Sequence, residues 1–264
     1  MTRIDPYKND FTPMMHVPII ILAGGLGTRL RSAVSDRPKA LATVGGRPFL
    51  EILFDQIELS GGREVVLATG YLGDAIEKRF GGRRGSLNLE YVREHKPLGT
   101  AGAARLAVER IKSDRVMILN GDSFVDINLS DFDDRSVESG LDVSIAIAHV
   151  SDAARFGTIE SDRRGRVVSF REKEGASGEG WVNAGVYVVS TDLMRTVPLD
   201  RFVSFERECF PGWISRGIGV YRTESPLVDV GTPESLAEAN ESPPIVGRFW
   251  RSSVEIFENQ LQGV

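Results

Sequence analysis

Residues 17–23, VPIIILA, form a short apolar run that stops at Gly24, Gly25 and Gly27. A run this short, bounded by glycines and without polar alternation, fits a strand covered on both faces, as in a parallel sheet. Glycines directly after such a strand let backbone N–H groups turn toward an anion. Open α/β sheets gather their ligands at the carboxyl ends of strands. The opening segment therefore predicts an α/β sheet with a phosphate-sized anion site at the end of its first strand.

The following hundred residues repeat the alternation. Residues 49–59 carry apolar side chains at helical spacing until Gly61 and Gly62 stop them. Residues 64–69, 87–92 and 115–119 read as strands, and residues 74–80 and 100–111 as helices. Three β–α alternations predict a parallel sheet with helices on its faces. After Gly140 the rhythm changes. Residues 143–149, 158–160, 167–171 and 182–189 read as strands joined by turns such as 162–165, with only short helices, one of them from Ser204. These predict antiparallel pieces added to the same sheet.

No repeat or low-complexity linker divides the chain, so residues 17–241 read as one domain. Residues 1–16 read as an extension that is too polar for a signal peptide. Residues 175–180 (GASGEG) read as a mobile loop, and Pro243-Pro244 ends a helix that begins near Pro233. The tail, residues 242–264, is amphipathic enough for a further helix, packed on the body or on a second copy in a homo-oligomer.

Composition narrows the function classes. With 32 Lys+Arg against 37 Asp+Glu, the net charge of −5 lacks the basic surplus that drives nucleic-acid binding. No apolar run approaches the ~20 residues of a membrane span, and a soluble, cytoplasmic protein is expected. One cysteine, Cys209, forbids an internal disulfide and a Cys-rich zinc site. It reads as a core thiol among large side chains. His16, His95 and His149 lie far apart, without metal-ligand spacing.

Two familiar glycine motifs fail. Gly25-x-Gly27 is followed by Leu30 where a dinucleotide fingerprint needs glycine, and Gly27-Thr28-Arg29 is not the Gly-Lys-Ser/Thr of a Walker A loop. Arg29 offers a fork for bidentate phosphate contact. Pro38 holds the chain extended before Lys39, which can aim the ammonium back at the glycine loop. Asp122 follows a strand as Asn120-Gly121-Asp122, and Asp229 lies in Leu227-Val228-Asp229-Val230-Gly231. Carboxylates at strand ends beside phosphates suit Mg²⁺, which takes one or two carboxylates plus phosphate oxygens and waters. Each would equally serve as a turn former or helix cap.

The run Gly24 to Leu41, GGLGTRLRSAVSDRPKAL, resembles the signature of sugar-1-phosphate nucleotidyltransferases. Further matches follow in the expected order: Pro97-Leu98-Gly99-Thr100-Ala101-Gly102, Asn120-Gly121-Asp122, Phe170-Arg171-Glu172-Lys173, Asn183-Ala184-Gly185-Val186-Tyr187 and Val228-Asp229-Val230-Gly231-Thr232-Pro233. The resemblance spans residues 17–240. Arg31-Ser32-Ala33-Val34-Ser35-Asp36, with no proline after Arg31, looks most like the heptose-1-phosphate guanylyltransferase branch. Ala40 departs from the pattern, in which a proline often follows the signature lysine.

The resemblance implies a Rossmann-like, mixed but mainly parallel sheet with helices on both faces, of the nucleotide-diphospho-sugar transferase type. It implies attack by a sugar 1-phosphate on the α-phosphorus of a nucleoside triphosphate (GTP in this branch), giving nucleotide sugar and pyrophosphate. The attacking oxygen is already anionic near neutral pH, so no general base is needed, which agrees with the scarcity of histidine. Leu22, Ala23, Gly24, Gly25, Gly27, Thr28, Gly99 and Asn120 would bind the nucleotide. Arg29 would hold the departing pyrophosphate and Lys39 the α-phosphoryl region. Asp122 and Asp229 would bind Mg²⁺. Glu172, Lys173, Asn183 and Gly185 would meet the sugar phosphate, and Glu94 would accept from guanine. A catalytically silent relative that senses nucleotide sugars, or another member of the family acting on mannose or glucose 1-phosphate, is the alternative reading.

Overall fold

The computed structural model describes residues 15–25, 30, 38–154, 156–171 and 178–248. Strand β1 (Ile19–Ala23) is buried at every position except Leu22, which is half-buried. Ile19, Ile21 and Ala23 pack into one apolar cluster, and Ile20 into a second on the opposite face. Alternating side chains thus demand cover on both sides. A single 3₁₀ turn at Lys39–Leu41 leads to the small hairpin β2 (Thr43–Val44) and β3 (Arg47–Pro48), then to α1 (Phe49–Leu59).

The alternation continues as β4 (Glu64–Thr69), α2 (Gly73–Phe80), β5 (Arg83–Arg84), β6 (Leu87–Arg93), α3 (Gly99–Val108) and β7 (Arg115–Asn120). Helix α3 stops three residues before the expected end. There the N–H groups of Arg110 and Ile111 reach back only three residues, to Ala107 and Val108. Next come β8 (Ser123–Val125), α4 (Leu129–Ser139), β9 (Val143–Val150), β10 (Thr158–Ser161), β11 (Val167–Arg171) and β12 (Gly180–Ser190). The chain then passes through α5 (Thr191–Arg195), a π-helical turn at Phe205–Cys209, α6 (Phe210–Trp213), β13 (Gly219–Thr223), β14 (Leu227–Asp229) and α7 (Pro233–Glu241).

The main sheet runs β11-β10-β12-β7-β1-β4-β6-β5. Its centre, β7-β1-β4-β6, is parallel throughout. Strand β12 adds antiparallel to β7 and carries β9 and β10 antiparallel to itself, so the expected second-half addition is present. Strand β13 joins β9 in parallel. Met15 and Val17, ahead of β1, are buried in the core. Residues 249–264 of the tail and residues 175–177 of the expected loop lie outside the described residues. Among the described residues, no helix is long and apolar enough to cross a membrane.

Candidate active site

The site begins where β1 and β7 end side by side, with Leu22 opposite Asn120. Gly121 donates its N–H to the Leu22 carbonyl at 3.0 Å. A Cβ on Gly121 would lie 2.5 Å from that oxygen, so the two strand ends can meet this closely only at a glycine. The chain then turns through Asp122 into β8, which pairs antiparallel with β14 so that Ser123 faces Asp229. Val230 N–H bonds the Asp122 carbonyl at 2.9 Å. This pairing brings Asp122 and Asp229, far apart in sequence, onto facing turns.

Lys39 completes the centre. Its Nζ forms an ion pair with Asp122 Oδ2, and its side chain is only 14% exposed. The same Nζ lies 3.2 Å from where a Cβ on Gly231 would stand, while Asp229 Oδ1 accepts the Gly231 N–H at 2.8 Å. The ammonium is thus paired with Asp122 at a cleft that Gly24, Gly25 and Asp229 also line.

Toward β6 the cleft is walled by Glu94. Its N–H bonds the Thr69 carbonyl at 2.8 Å, and its Oε2 accepts the Leu98 N–H at 2.8 Å. Its Oε1 presses on Gly24, leaving no room there for a Cβ. Burial pushes the Glu94 carboxyl above its ordinary value, and the Leu98 N–H pulls partly the other way.

On the opposite side stands β12. Its register against β9 shifts between Asn183 and Tyr187, and Gly185 within that bulge has φ +77°. Asn183 is held at both ends of its amide: Oδ1 accepts the Gly185 N–H at 2.9 Å, and Nδ2 donates to the Tyr187 hydroxyl at 2.8 Å. Tyr187 is fully buried, its ring against Phe205 and Phe210. Burial first, and then the charge of Glu206, raise its hydroxyl pKa well above the ordinary tyrosine value. Asn120 Nδ2 also donates to this hydroxyl, at 3.4 Å. Asn120 Oδ1 and Ser123 Oγ are buried without a hydrogen-bond partner among the described residues. Turning the Asn120 amide over would give the Tyr187 proton an acceptor.

These walls enclose a cleft of about 560 Å³. Leu22, Ala23, Gly24, Gly25, Lys39, Gly99, Asn120, Asp122, Asn183 and Asp229, all anticipated from sequence, line it. Gly185 lies just behind, against Asn120 and Ser123. Gly27, Thr28, Arg29, Glu172 and Lys173 fall outside the described residues. The sequence reading missed Thr100, Ser123, Phe156, Phe202 and Glu206, which also line the cleft. Thr100 lies inside the quoted match over residues 97–102 but carried no assigned role, the other four had no recognisable spacing, and Glu206 sits in a stretch whose pattern suggests only core. Cys209 is a core thiol as expected; burial pushes its pKa up to about 12. Among the described residues, no group of three or more His, Cys, Asp or Glu is placed to hold a metal.

Residues 19–243 match the family model described as nucleotidyl transferase. The chain belongs to this family. Among nucleotidyl transferases it is 33% identical over 223 residues to D-glycero-alpha-D-manno-heptose 1-phosphate guanylyltransferase of Aneurinibacillus thermoaerophilus, covering 84% of this chain and 96% of that one. It is 35% identical over 228 residues to mannose-1-phosphate guanylyltransferase of Mycobacterium tuberculosis, covering 85% of this chain and 64% of that protein. Its fold matches the crystal structure of HddC from Yersinia pseudotuberculosis complexed with GMP-PN. The TM-score is 0.76 and the identity 31%, covering 85% of this chain and 98% of that one. The cleft of this nucleotidyl transferase thus lies at the carboxyl ends of β1 and β7, with Lys39 and the two aspartates lining it.

Proposed function

We propose that the chain transfers the guanylyl group of GTP to a sugar 1-phosphate, with a manno-configured heptose 1-phosphate as preferred acceptor, and releases pyrophosphate. The observation that carries this reading is a single cleft in three parts. Its centre is the Lys39–Asp122 ion pair with Asp229 on the strand paired to β8, a half-buried carboxylate stands toward β6, and an amide-bearing wall stands on β12. The guanylyl and heptose specificities of the relatives support the choice of substrates.

An oxygen of the sugar phosphate would form the new bond to the α-phosphorus. The bond from that phosphorus to the bridging oxygen breaks, and its electron pair leaves with pyrophosphate. No histidine lines the described cleft, and an anionic nucleophile needs none. The burden is charge neutralisation and in-line positioning. Lys39 supplies positive charge at the centre, and by the family resemblance Gly27 and Thr28 would cradle the triphosphate. Arg29 would hold the pyrophosphate, and Glu172 and Lys173 the sugar phosphate. Asp122 and Asp229 would hold Mg²⁺: the donor set is two hard carboxylates on facing turns, and Asp122 Oδ1 has no partner among the described residues. When bound, that ion supplies Lewis-acid neutralisation of phosphate charge.

Glu94 gives the reading its base. Guanine presents N1–H and an exocyclic amine on one edge, both donors to a carboxylate, whereas adenine N1 is an acceptor that a carboxylate repels. A site built to pair such donors rejects the wrong base by several orders of magnitude. The Mycobacterium relative supports a second reading with mannose 1-phosphate as acceptor.

Pyrophosphate release with GTP, ATP, CTP, UTP and dTTP, each against heptose, mannose and glucose 1-phosphates, tests both. The heptose–GTP pair is expected to lead. Preference for UTP or dTTP with glucose 1-phosphate would overturn the branch, and no release from any pair would mark a silent relative. Glu94→Gln is expected to narrow the gap between GTP and ATP. Lys173→Ala should chiefly raise KM for the sugar phosphate, and Lys39→Ala should depress kcat with both substrates saturating.

A further inference from the structure

The functional reading leaves Glu206 without a task. It is the second residue of the π-helical turn Phe205–Cys209, a rare geometry in which Cys209 N–H reaches back five residues to the Ser204 carbonyl at 3.2 Å. Its side chain lines the cleft and is tethered at one oxygen only. Oε2 accepts from Ser204 Oγ at 2.7 Å and from Thr100 Oγ1 at 3.0 Å, and Thr100 Oγ1 in turn accepts the Phe205 N–H at 2.9 Å. Oε1 has no hydrogen-bond partner among the described residues. A carboxylate fixed at one oxygen and open at the other is a preorganised acceptor.

What it would accept from follows from its surroundings. An open carboxylate oxygen repels phosphates and accepts from N–H or O–H donors. The base end of the cleft is occupied by Glu94, two strands away from β1 on the β6 side. Phe205, the residue before Glu206 in the turn, packs its ring 5.4 Å from that of Tyr187, and Tyr187 holds Asn183. Glu206 therefore serves the β12 side. Phe156 and Phe170, which also line the cleft, offer apolar faces for the C–H surface of a ring.

Resting on the sugar-1-phosphate reading above, we propose that Glu206 is a specificity-determining residue that accepts hydrogen bonds from ring hydroxyls of the acceptor sugar. Glu206→Gln is a sharp test. A glutamine can keep its oxygen on Ser204 and Thr100 while its amide nitrogen replaces the open acceptor with a donor. KM for the sugar 1-phosphate is expected to rise roughly 10- to 100-fold, the range for losing a charge-assisted hydrogen bond, with KM for GTP within about twofold of wild type. Singly deoxygenated sugar 1-phosphates add the hydroxyl itself. Wild type should lose at least about tenfold in kcat/KM with one of them, and Glu206→Gln should barely distinguish that analogue from the parent sugar.

An unchanged sugar-phosphate KM in Glu206→Gln would overturn the proposal. A rise in KM for GTP instead would do the same by giving the carboxylate to the ribose, and so would a fall in melting temperature with both KM values moved. If wild type turns over no sugar 1-phosphate at all, the functional reading itself fails. If wild type is active and Glu206→Gln matches it, only the assignment of Glu206 fails.

Discussion

Replacing Gly185 by alanine perturbs the β12 wall of the cleft where it packs against Asn120 and Ser123. Gly185 has φ +77°, a conformation that costs an L-residue about 1–2 kcal/mol. The new Cβ would stand 2.9 Å from Asn120 Nδ2 and closer still to Ser123 Oγ. Both neighbours are constrained, Asn120 by Tyr187 and Ser123 by the β8–β14 pairing. Overpacking of this kind costs about 1–3 kcal/mol, for a total of roughly 2–5 kcal/mol. At about 2–4 °C per kcal/mol for a chain of this size, the melting temperature should fall by roughly 4–20 °C. Gly140→Ala separates the two costs. Gly140 has φ +63° at the end of α4, and its Cβ would meet nothing within 4 Å, so that variant carries the backbone cost alone. Thermal melts by calorimetry or circular dichroism compare the pair, and steady-state assays should show kcat/KM depressed in Gly185→Ala only. Equal melting temperatures for the two variants would refute the packing argument.

Asp122→Asn and Asp229→Asn should each cut turnover by at least about a hundredfold at limiting Mg²⁺, with an unchanged far-ultraviolet spectrum. Near-normal turnover in either removes that residue from the metal site. Burial raises the Glu94 pKa in the folded chain, so protonation should weaken GTP recognition above the pH expected of an ordinary glutamate at 4.5. KM for GTP should climb as pH falls through that raised pKa, and Glu94→Gln should flatten the climb. The same group favours unfolding at neutral pH, a cost relieved as pH drops, because its charged form is the one that folding penalises. Cys209, its pKa pushed up to about 12 by burial, should resist thiol labelling at pH 8 in the native protein and react fully in denaturant.

Several elements were legible without coordinates because their causes are local. The apolar run of β1, the helical spacing of α1 and the glycines that end both are patterns a few residues long. Helix α4 was not read, although Asn128 caps it by accepting from Ser130 and Asp131 N–H, since Asp133 and Ser136 occupy positions where apolar residues are expected. Those two polar side chains are buried because Arg115 and Ser144 reach them from other strands, which no local pattern reveals.

The sequence by itself determined the α/β alternation, the glycine turn after β1 and the identity of most charged groups in the cleft, because these depend on side-chain chemistry and short-range periodicity. Tertiary structure alone decided that β8 pairs with β14, which puts Asp229 beside Asp122. It also decided that β12 slips its register at Gly185, which aims Asn183 at Tyr187. Thr100 and Ser204, joined only by folding, turn an inconspicuous Glu206 into an oriented acceptor. Such contacts join residues far apart in the chain, and their geometry is fixed by sheet register and by the packing of two cores rather than by any residue's neighbours in sequence.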